Sequence, residues 1–207
     1  MENKTASNSK MRKNGNLNSP LFIFYCAKDF LIHGTIAASE NFKAKAGEVK
    51  QFDSLIHAKL PMPVVNIVFG LELILKGLAK QFNKPILHTH DLLDLFNALG
   101  DDIQTRIVDN YKTHDNYNIL IALNLTGNSK GHGTSTLVER PRKDKDGVLK
   151  LLESHANYFE EFRYLFEFDD SQEKGILFRE LSNLTFSALV VFGETLGKTV
   201  IYGSTTL

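Results

Sequence analysis

The stretch PMPVVNIVFGLELILKGLAKQF, Pro61 to Phe82, decides the fold. Val64, Ile67, Val68, Leu71, Leu75, Leu78 and Phe82 recur at helical spacing, and Val65, Phe69, Leu73 and Ile74 spread apolar surface around most of the circumference. A helix that is apolar on nearly every side is covered by other helices, so this one is expected at the centre of an all-α domain. Glu72 and Lys76 interrupt it at i and i+4 with the acid first, the order that favours an ion pair. Both are expected to be buried and paired, with each other or with a neighbouring charge such as Arg163. Charges in mid-helix are costly in lipid, which argues for a buried helix rather than a membrane span. Asn66, Gly70 and Gly77 line one narrow strip where a second helix can approach closely, and Pro61 and Pro63 suit the first turn.

The chain has 207 residues, enough for one domain with a substantial core. Its formal net charge is zero, so no global field draws it to nucleic acid or anionic lipid. Cys26 is the only cysteine, which excludes an intrachain disulfide and a cysteine zinc cluster. Met1 is followed by polar residues without an apolar core, so no secretory signal is visible. These features point to a cytoplasmic protein with no membrane segment.

Working outward from the central helix, residues 1–20 are polar and basic, and are expected to form a disordered tail. A single-domain antiparallel bundle of about five to six helices follows over residues 21–207. Its first helix is expected over residues 21–43, with Phe22, Cys26, Phe30 (or Asp29), His33, Ala37 and Glu40 following helical steps. His33 is read there as a partly buried core histidine and Cys26 as a small core hydrophobe. After Asn83-Lys84-Pro85, Thr89 or His90 precedes a helix with Leu92, Leu93, Leu95, Phe96 and Leu99 inward, ended by Gly100. Asp101 or Asp102 caps the next, whose stripe is Ile103, Ile107 and Tyr111 and which is expected to reach as far as Leu123.

Residues 124–147 form the one long stretch without a pattern. A helix beginning near Gly147 then carries His155 and a run of aromatic residues to Phe168. That run is read as core or as a helix–helix interface. The last helix is expected over residues 173–198, with Leu177, Leu181, Leu184, Ala188 and Val191 inward. GNSKGHGTST lacks the spacing of a phosphate loop. His88 and His90 stand two apart without a second ligand cluster, so neither a metal nor a cofactor is expected.

The helix NIVFGLELILKGL with Asn66, Glu72 and Lys76, then HDLLDLFNAL from His90 to Leu99, then FEEFRYLFE from Phe159 to Glu167, together resemble the HEPN superfamily of bacterial helical domains. The resemblance covers most of residues 21–200. It implies an all-α fold, a homodimer, and service in stress response, phage defence or toxin–antitoxin systems. Many HEPN domains are metal-independent ribonucleases that use an Arg and a His four to six residues apart. Here only Arg106 precedes a nearby histidine, His114, at a longer spacing and in the wrong helix, and no histidine follows Arg163 or Arg179.

Two readings of function stand. In one, the chain is a non-catalytic module that binds RNA, a nucleotide or a partner protein, or serves in dimerisation through the aromatic helix. In the other, it is a ribonuclease with a rearranged site. His155 and Arg163, two turns apart on one helix, would then meet His90 or Glu72 across the bundle, an imidazole serving as acid or base beside a cation that stabilises charge. The favoured reading of Arg163 is instead a buried structural partner of Glu167 or Glu72, because buried helices keep charges when these are paired.

Overall fold

The computed structural model describes residues 19–43, 61–113, 122–125, 141–156 and 174–200. They form six helices: α1 (Pro20–Lys43), α2 (Pro61–Gln81), α3 (Leu92–Asn97), α4 (Asp101–Thr113), α5 (Lys145–Ser154) and α6 (Phe178–Thr195). Two four-residue strands, β1 (Ala122–Leu125) and β2 (Lys174–Leu177), pair antiparallel, with Ala122 opposite Leu177 and Leu125 opposite Lys174. The architecture is an all-α helical bundle with this one short ribbon added.

Local chemistry sets the helix ends. Ser19 caps α1, its hydroxyl accepting from the Phe22 N–H at 3.1 Å, and Pro20 occupies the first turn, where a missing N–H costs nothing. At the end of α2, Asn83 adopts a left-handed conformation (φ 52°), the Lys84 N–H reaches back to the Ala79 carbonyl, and the Asn83 N–H reaches that of Lys80. The same double closure ends α6 at Gly197 (φ 64°).

α2 is the buried centre that its sequence predicts. Val64, Ile67, Val68, Leu71, Ile74, Leu75 and Leu78 are all in the core, whereas Phe82 lies past the helix end and is exposed. α1 lies antiparallel along α2: Gly34 meets Ile67 and Pro63, Gly70 meets Ala27 and Phe30, and Gly77 meets Ile23. Gly70 and Gly77 thus provide the close approach expected of that strip. α6 packs on both helices, with the Phe24 and Phe192 rings edge to face at 5.8 Å. Contacts of Gly77 with Phe192 and of Gln81 with the Thr195 carbonyl show α2 and α6 running in the same direction. α4 runs antiparallel to α6, since Tyr111 meets Glu180 while Arg106 meets Glu194.

Several expectations are corrected. In α1 the buried line is Phe24, Ala27, Leu31 and Gly34, with Phe22 and His33 exposed, so His33 is not a core histidine. The helix is apolar on both sides, and the small residues Ala27 and Gly34 select the side that can come close to α2. α4 stops at Thr113, and Leu123 lies in β1 instead. α6 begins at Phe178 because β2 takes the preceding residues, and a short apolar run does not distinguish strand from helix. α5 starts at Lys145, capped by Asp144, and ends at Ser154 rather than running on to Phe168. The expected tail ends sooner than residue 20, since Ser19 and Pro20 form the cap and first turn of α1; residues 1–18, the aromatic run and Arg163 lie outside the described residues. No described helix is long and apolar enough to cross a membrane.

Candidate functional site

Midway along α2, Glu72 is only 2% exposed. Lys76 Nζ donates to its Oε1 at 2.7 Å, and His90 Nδ1 lies 3.0 Å from its Oε2. The expected ion pair is therefore present, and it includes a third residue, one of the candidate catalytic histidines. A carboxylate oxygen only accepts, so the hydrogen in this contact belongs to His90 Nδ1, and Nε2 is the basic atom of the neutral ring. The His90 side chain is 41% exposed and that of Lys76 is 23% exposed, so the acid is covered while its two partners reach toward water.

The sequence THDLLD explains how His90 is held. Asp91 caps α3, its Oδ1 accepting from the N–H groups of Leu93 at 2.8 Å and Asp94 at 3.0 Å. The Asp91 N–H in turn donates to Thr89 Oγ1 at 3.0 Å. The residues on both sides of His90 are thus fixed, and its ring closes onto α2. The cap is Asp91, not Thr89 or His90 as the sequence suggests.

His155 is 1% exposed. Its Nδ1 lies 2.8 Å from the Leu151 carbonyl and 2.8 Å from Ser154 Oγ, while Ser154 Oγ donates to the same carbonyl at 2.9 Å. A carbonyl can only accept, so His155 too carries its hydrogen on Nδ1. These bonds occupy the carbonyl that a further turn would use, and α5 stops there. His155 therefore sits at the end of α5, while Arg163 lies outside the described residues. The Leu92 N–H donates to the Ala156 carbonyl at 3.3 Å, which brings the backbone after His155 beside the start of α3, two residues from His90.

Along the outer side of the same junction runs a groove of about 670 Å³ between α3 and α5, lined by Leu93 and Asn97 on one side and by Leu149, Lys150 and Glu153 on the other. Ser154 lies at its edge.

One buried polar pair was not anticipated. Tyr111 Oη donates to Glu180 Oε2 at 2.6 Å, joining α4 to α6, and Lys143 Nζ stands 5.9 Å from the centre of the Tyr111 ring. The available signal was Glu180 itself, an acid in the first turn of an apolar helix, which needs a partner once buried.

With this geometry in hand, comparison with known proteins adds no relative: no family model, no curated protein and no solved structure matches the chain.

Proposed function

We propose that the chain is a HEPN-like helical module that binds rather than cuts, acting as a homodimer in a bacterial stress or defence system of the toxin–antitoxin kind. Its partner is RNA, a nucleotide or another protein. The observation that carries this reading is the Glu72 cluster. The acid, the lysine and the histidine that underlie the HEPN resemblance bond to one another and fasten α3 to α2, so they act on the fold. The Arg–His pair that the resemblance associates with cleavage has no counterpart in the sequence.

A second reading has its own observation. A buried carboxylate bonded to an imidazole at Nδ1 orients the ring, an arrangement general acid–base chemistry uses. It describes a metal-independent ribonuclease in which His90, His155 and Arg163 form the site.

One experiment decides between them. Single-stranded RNA is incubated with wild type, His90→Ala and Arg163→Ala in the presence of a chelator. The binding-module reading expects no cleavage by wild type beyond a protein-free control. Robust cleavage by wild type that both substitutions abolish overturns it in favour of the enzyme.

A further inference from the structure

We infer that the outer face of α5, with the groove beside it, is where two copies of this chain meet in antiparallel orientation. The inference rests on the homodimer in the function proposed above and gives it a surface.

Asp146, Leu149, Lys150 and Glu153 are spaced i, i+3, i+4 and i+7, and so share one face of α5. Arg142 stands just ahead of the helix, and all five residues line the groove. Among the charged residues that line the groove the signs alternate: Arg142 positive, Asp146 negative, Lys150 positive, Glu153 negative. Asp146 and Lys150 have the spacing and order of a good intrahelical pair. Yet among the described residues neither they nor Glu153 enter an ion pair, and Arg142 bonds only Asp144. Arg142 has five N–H donors and can hold a second carboxylate as well.

An alternating row of this kind is complementary to itself when one copy is reversed. A two-fold axis near Val148 sets Arg142 against the partner's Glu153 and Asp146 against the partner's Lys150. Symmetry then repeats both pairs, as an isologous contact requires. Leu93 and Leu149, half-buried along the groove, supply the apolar strip between the charged rows. In-register parallel copies would place like charges together. A polyanion would meet Asp146 and Glu153, which disfavours nucleic acid here. A partner of one sign of charge would leave half the row unmatched.

The test is sedimentation of the full chain at micromolar concentration. Wild type is expected to be a dimer. Asp146→Lys and Lys150→Asp alone each place like charges across the contact, and each is expected to weaken self-association by at least about tenfold. Mixed one to one, these two variants restore every opposite-sign pair and are expected to form a heterodimer. The pair Arg142→Glu and Glu153→Lys repeats the logic should either first variant lose helix by circular dichroism. A monomeric wild type overturns both the homodimer and this surface. A dimeric wild type whose single variants remain dimeric overturns the surface and leaves the homodimer standing. Monomeric variants that fail to associate on mixing overturn the antiparallel pairing.

Discussion

Glu72 has each carboxylate oxygen on a different partner, and only those partners reach solvent. Substitutions on the two sides of this contact should therefore be unequal. Lys76→Met removes the ammonium and leaves a buried acid with His90 alone. The loss expected is about 3 kcal/mol, the lower end for breaking a buried pair because Lys76 is itself partly exposed. Glu72→Gln keeps the shape and one accepting oxygen, and should lose about 1–2 kcal/mol. Urea unfolding measures both, and equal losses would count against burial of the acid as the deciding factor. The pair was legible in sequence, because two charges at i and i+4 on an apolar helix have little else to meet. His90 as the third member was not. It joins through the path of residues 82–91, and no periodicity encodes where a connection returns.

Among the elements, α5 depends most visibly on its first residues. Asp144 accepts from the Gly147 N–H at 2.8 Å, and that bond, ahead of the nearby Arg142 guanidinium, holds its carboxyl below the ordinary value of 3.8, against a smaller opposing effect of burial. A carboxyl lowered in the folded state adds stability above its unfolded value and loses it as pH falls through the folded one. The melting-temperature gap between wild type and Asp144→Asn should thus be steady above about pH 5 and close as the medium is acidified toward pH 3. A gap that widens on acidification would contradict the sign. Start signals like this are readable, since Asp144 lies three residues before the Gly147 N–H it accepts. The stop was less so: Ser154 and His155 end α5 by competing for a carbonyl, and each is an ordinary surface or core residue until that contact is seen.

Across the whole molecule, α1, α2 and α6 converge on Gly77, where an added Cβ would lie 2.5 Å from two ring carbons of the fully buried Phe192 and 3.0 Å from Ile23. Gly77→Ala gains about 1 kcal/mol of helix propensity, but overpacking a filled core costs about 1–3 kcal/mol. A net loss in thermal stability is expected, partly recovered by adding Phe192→Leu. A variant more stable than wild type would show that the three helices can spread apart. The helical class was legible from α2 alone. The β1–β2 ribbon was not, because strands of four residues are too short to show a period that separates strand from helix. The position of α6 also affects how the chain is made. α1 and α2 can pair soon after synthesis, but the face around Phe24 and Gly77 waits for α6, whose first residue, Phe178, comes 97 residues after Gln81 by the difference of their numbers. At ribosomal speeds of about 5–20 residues per second that is a wait of roughly 5–20 s, during which the nascent chain exposes the surface α6 will cover and is most open to capture by a chaperone.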